Sequence, residues 1–176
     1  MKECLNWGQR NFDLNEYEGN FTQAAVGRRS LKSTPFAHWD GRGFNVPQIC
    51  IDDFMPKNDL SQVDILHADI QGSEYEMLLG ARESLRKHCI RYVFISTHAE
   101  HLHQLCLGFL AGVGYRLISE HTPAESYSVD GLIVAASEQA DGAPVRISKC
   151  RSWTSFLLKT KNRLKYYLPG WLAAYA

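Results

Sequence analysis

Three side chains able to bind or move charge fall close together at Asp69, Gln71 and Glu74, and a fourth, His98, lies a strand and a helix further on. On a strand through Ile65, His67 and Asp69, alternate side chains share one face, so His67 and Asp69 point the same way. A carboxylate at a strand tip can hold a cofactor ammonium or ribose, or take a proton from a substrate hydroxyl. The structural alternative is that Asp69 and Gln71 only cap the following helix. His98 directly follows the apolar run Tyr92 to Thr97 and suits proton transfer or substrate positioning. With His101 and His103 it makes three histidines in six residues, and His98, His101 and Asp69 together raise a metal-dependent hydrolase as one reading. The run lacks the H-E-x-x-H pattern and cysteine partners, so no metal ligands are assigned. His101 and His103 read instead as the solvated first turn of a helix.

These residues need a scaffold, and residues 63 to 81 supply most of it. Val63 to Ile70 has the apolar density of a strand covered on both faces, and Gly72 allows a sharp exit. Ser73 and Glu76 form an S-x-x-E capping box, and Tyr75, Leu78, Ala81 and Leu85 recur at helical spacing, which predicts one helix over residues 73 to 87. In an open parallel sheet, the turn between such a strand and helix sits at the ligand-binding edge. Upstream lie a weak helix over residues 3 to 14, a short strand over Phe21 to Val26 and two strands around the loop Trp39 to Gly43. Pro56 limits residues 52 to 59 to a loop or short helix. Downstream, Leu102, Leu105, Cys106, Phe109, Leu110 and Val113 form an amphipathic stripe ended by Gly114, and strands follow over Tyr115 to Ser119 and Val129 to Ala136. The alternation predicts an α/β fold with a mostly parallel sheet and helices on both faces.

The 176 residues carry no net formal charge, but the total conceals a split of −7 before residue 142 and +7 from there on. Five cysteines without C-x-x-C spacing argue against a disulfide framework or a zinc ribbon and for reduced thiols in the cytoplasm. No signal peptide or membrane-spanning run is apparent. Two regions are expected, a domain over residues 1–141 and a basic amphipathic extension over residues 142–176. In the extension, Trp153, Phe156, Leu157, Leu164, Tyr167, Leu168 and Trp171 alternate with Lys159, Lys161, Arg163 and Lys165. Such a face either covers its own domain or docks residues 149–171 on a membrane surface or a protein, a peripheral placement; no nucleic acid is expected.

The run from Val63 to Ala81, preceded by Ile51-Asp52-Asp53-Phe54 and followed by Phe94-Ile95-Ser96-Thr97-His98, resembles the FkbM family of methyltransferases. The similarity covers about residues 6 to 136, including Asn20 to Gly27 and Asp130 to Ala135. It implies a Rossmann-like methyltransferase sheet and methyl transfer from S-adenosylmethionine, often to a hydroxyl oxygen of a small molecule or sugar. Carried onto this chain, Asp69, Gln71 and Glu74 would lie by the cofactor, with Asp69 or His98 as the catalytic proton acceptor. Many members have glutamate where this chain has Gln71. The glycine-rich turn and acidic strand end that open the family's fold have no counterpart before residue 20, so an N-terminally incomplete sheet of five core strands rather than seven is expected. A non-catalytic binding or assembly partner is therefore the alternative function.

Overall fold

The computed structural model describes residues 2–37 and 43–150. Helix α1 (Lys2–Leu14) precedes β1 (Ala25–Val26) and a hairpin of β2 (Leu31–Ala37) and β3 (Gly43–Ile49), whose connecting residues 38–42 lie outside the described residues. Then come α2 (Ile51–Lys57), β4 (Val63–Ala68), α3 (Glu74–Leu79), α4 (Arg82–Arg86), β5 (Ile90–Thr97), α5 (Glu100–Gly112), β6 (Arg116–His121) and β7 (Gly131–Ala136).

The fold is α/β, but its sheets are mixed rather than mostly parallel. In the first sheet, ordered β1-β3-β2, β1 runs parallel to β3 and β2 antiparallel to it. In the second, ordered β4-β5-β7-β6, only the β4–β5 pair is parallel; β7 runs antiparallel to both β5 and β6. The reversal has a local cause. No helix lies between β6 and β7, and without a crossover two consecutive strands can pair only antiparallel.

Strand β5 occupies the middle of the second sheet, and its Ile90, Val93, Ile95 and Thr97 are fully buried. Across the core they meet Leu78 of α3, Leu85 of α4, Cys106 and Leu110 of α5 and Ile133 of β7. Among the described residues, strand β4 is covered on one face only, not on both as its apolar density suggests. Ala68 is buried, whereas Ile65 is 59% exposed and His67 and Asp69, on the same face, are also exposed. Among the described residues β4 pairs with β5 alone, so this strand presents an open face and an open edge.

The expected helix over residues 73 to 87 is broken at Gly80-Ala81. Gly80 packs so tightly on the carbonyl of Gly27 that no side chain fits there. Asp52 then bridges the break from both sides. Its backbone N–H donates to the Gly80 carbonyl at 2.9 Å. Its carboxylate accepts the N–H groups of Glu83 and Ser84 at 3.0 and 2.8 Å and the Ser84 hydroxyl at 2.7 Å, capping the first turn of α4. The Ser73–Glu76 capping box does not form. Ser73 makes no side-chain cap bond, and Glu76 instead pairs with Arg28 through two contacts at 3.1 and 3.0 Å.

Residues 142–150 run back along β6: the Val145 N–H donates to the Ile118 carbonyl, and Lys149 reaches both Glu120 and Glu125 at 2.7 Å. The aromatic and basic segment from Trp153 to Trp171 lies outside the described residues. Among the described residues no helix is long and apolar enough to cross a membrane, and Cys50, Cys89, Cys106 and Cys150 are free thiols.

Replacing Asp52 by Ala removes three hydrogen bonds at the α3–α4 break, and loss of a helix cap costs about 1–2 kcal/mol. Urea denaturation of Asp52→Ala is expected to show a loss of that size; an unchanged midpoint would mean that the cap contributes nothing.

Candidate functional site

The turn after β4 is bent by two successive left-handed residues, Gln71 at φ 55° and Gly72 at φ 102°. Glycine adopts that conformation freely, whereas glutamine there costs on the order of 1 kcal/mol. The bend turns Glu74 inward. Its side chain is fully buried, and Oε1 accepts the Gly72 N–H at 3.0 Å and lies 2.9 Å from Nδ1 of His98. Glu74 Oε2 is also buried and has no partner among the described residues. Glu74 thus holds both its own turn and the imidazole at the end of β5.

The other nitrogen of His98 faces outward into a polar cluster. Nε2 is 2.9 Å from Gln71 Nε2, 3.1 Å from Asp69 Oδ1 and 3.5 Å from Asp130 Oδ1. Gln71 also donates to Asp69 Oδ1 at 3.3 Å. His98 is mostly buried, its side chain 16% exposed, while Asp69 is about half exposed. With Nδ1–H donating to Glu74, Nε2 keeps a lone pair that can accept from Gln71 or from an incoming hydroxyl.

The expected residues Asp69, Gln71, Glu74 and His98 therefore meet in one cluster. Asp130 is a fourth polar group around His98 to which sequence reasoning gave no role. Its position follows from strand register: Gly131 of β7 pairs with Thr97 of β5, which brings Asp130 opposite His98. The available signal was the Asp130-Gly131-Leu132 run, and its use required knowing that β7 runs antiparallel to β5.

The other two histidines part company. His101 is exposed, but His103 is fully buried, which corrects the reading of both as a solvated first turn. His103 Nδ1 lies 2.8 Å from Thr97 Oγ1 and Nε2 lies 3.4 Å from Glu120 Oε2. A side chain at Gly131 would strike both His103 and Thr97, so the glycine makes room for the pair. Among the described residues no group of three or more His, Cys, Asp and Glu side chains could hold a metal ion. Cys106, beside this core, is no nucleophile: burial, with a smaller contribution from Glu74, pushes its thiol up to about 12.

Residues 4–117 match the model of the family described as the methyltransferase FkbM domain. The match spans Asp69, Gln71, Glu74 and His98 and ends before Asp130. Comparisons with curated proteins and with solved structures give no match.

Burial lowers the pKa of His103 from its ordinary value; the nearby carboxylates of Glu120 and Glu100 oppose this, and His121 adds to it. A histidine with a depressed folded pKa binds fewer protons folded than unfolded, so its contribution to stability is present above the unfolded value near 6.5 and lost as pH falls below it. Denaturation midpoints are expected to fall between pH 7 and pH 5, and to fall less steeply in His103→Asn. Equal slopes in the two proteins would contradict the assignment.

Proposed function

Because the chain belongs to the FkbM family of methyltransferases, we propose that it transfers a methyl group from S-adenosylmethionine to a hydroxyl oxygen of a small molecule or sugar, with His98 as the proton acceptor. The observation that carries this reading is the Glu74–His98 pair: a buried carboxylate fixes Nδ1 and leaves Nε2 directed at the open polar cluster.

The residues at the end of β4 suit the charged end of the donor. Asp69 and Asp130 offer carboxylates to a cation, Asp69 from the open face of β4. Among the described residues, a side chain at Gly72 would meet only Leu102, at 3.9 Å, so there is room beside the turn. Asp69 and Gln71 would hold the donor here. S-adenosylmethionine, when bound, supplies an electrophilic methyl group on a positively charged sulfur. Glu74 has a different part. Its complete burial keeps it from a bound molecule, so it acts by positioning His98 rather than by contacting the cofactor.

The chain's own work is then orientation and proton transfer. The acceptor hydroxyl gives its proton to His98 Nε2 as its oxygen becomes nucleophilic, and Glu74 stabilises the imidazolium that results. Asp69 and Asp130 lie close enough to Nε2 to stabilise the same charge. The free thiols fit a cytoplasmic setting.

A second reading, a non-catalytic binding or assembly partner, draws on the open face of β4 with its 59% exposed Ile65. One set of measurements separates the two. Transfer of radiolabelled methyl groups to a panel of hydroxylated acceptors is expected for the purified chain, and His98→Asn should lower turnover by about 100-fold or more, the range of general-base catalysis. Glu74→Gln should lower kcat with little change in KM. Undiminished turnover in His98→Asn would remove the base assignment. A well-folded chain that fails to bind S-adenosylmethionine in a calorimeter would favour the second reading.

A further inference from the structure

A cavity of about 630 Å³ is lined by residues that include Gly27, Arg28, Arg29, Gln48, Ser73 and Glu76, the last two on either side of the Glu74 that holds His98. That volume suits a small molecule. The loop forming one wall, residues 27–29, is held in place at three points. The Gly27 carbonyl packs on Gly80, the Gln48 side-chain amide donates to the Arg29 carbonyl at 2.8 Å, and Arg28 pairs with Glu76. A side chain at Gly27 would displace the end of the Gln48 side chain, 2.7 Å away, and with it the bond to Arg29.

These contacts divide the two arginines. Arg28 is neutralised by Glu76, whereas the guanidinium of Arg29, exposed and lining the cavity, has no ion pair or side-chain hydrogen bond among the described residues. The Ser73 hydroxyl, which forms no helix cap, adds a donor to the same wall. An uncommitted guanidinium on an anchored backbone, with a hydroxyl lining the same cavity, suits a phosphate or carboxylate. The surroundings of His98 have the opposite character, with Asp69, Glu74 and Asp130 clustered there, and would repel an anion. Ser73, next in sequence to Glu74, links the cavity to the His98 cluster.

We propose that this cavity binds an oxyanion, a phosphate or a carboxylate, through Arg29 and Ser73, and that the oxyanion belongs to the methyl acceptor, whose hydroxyl would face His98. The second half rests on the methyl-transfer reading; the oxyanion site itself does not. Acceptor polarity would then set orientation, with the anionic end drawn to Arg29 and away from the carboxylates around His98.

The test uses the full chain, labelled with nitrogen-15, titrated with pyrophosphate and separately with citrate while the amides of Arg29 and Ser73 are followed by NMR. At least one anion should produce saturable shifts at both amides, with affinity at least tenfold weaker in Arg29→Gln and unchanged in Arg82→Gln, a control on α4. A response to pyrophosphate alone identifies a phosphate site, and a response to citrate alone a carboxylate site. The proposal is overturned if neither anion shifts these amides, if Arg29→Gln binds as the parent does, or if Arg82→Gln loses binding equally. These outcomes are read without turnover, so a failed oxyanion site and a failed methyl-transfer reading remain distinct.

Discussion

The structure depends on burying the carboxylate of Glu74. An ionised group taken out of water is costly unless it is hydrogen-bonded or paired, and the partners that Glu74 Oε1 finds are the Gly72 N–H and the His98 imidazole. Each partner in turn fixes a feature of the site. The Gly72 contact requires the left-handed bend at Gln71 and Gly72, which terminates β4 and starts α3. The His98 contact joins that turn to the end of β5 and selects the ring nitrogen that faces outward. The same requirement places a strained glutamine beside His98, where its amide reaches both the imidazole and Asp69.

The mixed sheet completes this arrangement. Parallel pairing of β4 with β5 brings Asp69 and His98 to one sheet edge, and antiparallel pairing of β7 with β5 returns the chain so that Asp130 enters at the same edge. Three carboxylates then surround one imidazole, each on a different segment. Away from the cluster, the Thr97–His103–Glu120 contacts link β5, α5 and β6, and Lys149 extends them to the segment 142–150. Polar chains of this kind, buried at Thr97 and His103, favour one packing arrangement because those two members are satisfied in that arrangement.

Much of the site was legible in the sequence. Asp69 and His98 stand at the ends of two strong strand patterns, and neighbouring parallel strands end at the same edge, so their meeting required no long-range knowledge. Asp130 did require it. Its place depends on the direction of β7, and a strand's apolar pattern is the same in either direction. The burial of His103 was readable from helical phase: it stands three residues before Cys106 and seven before Leu110, on the buried stripe of α5. A polar residue type obscured that phase. The break at Gly80 and the loss of the capping box have one origin. Gly27 and Arg28 come from a loop some fifty residues earlier, packing on Gly80 and capturing Glu76, and local spacing contains no trace of them. The open face of β4 was misread for a related reason: apolar density reports what a strand can bury, while neighbouring elements decide what it does bury.

On the proposed reading, Glu74 sets the tautomer of His98 and leaves Nε2 as the basic nitrogen. Nitrogen-15 NMR of histidine-labelled protein tests it directly, with the His98 signals assigned by their loss in His98→Asn and recorded at a pH where the ring is neutral. A neutral ring protonated at Nδ1 is expected, with a shift toward the Nε2–H form when Glu74 is replaced by Leu and the protein remains folded. A neutral His98 protonated at Nε2 in the unaltered chain would contradict it, because the nitrogen facing the open cluster would then be a donor and not a base.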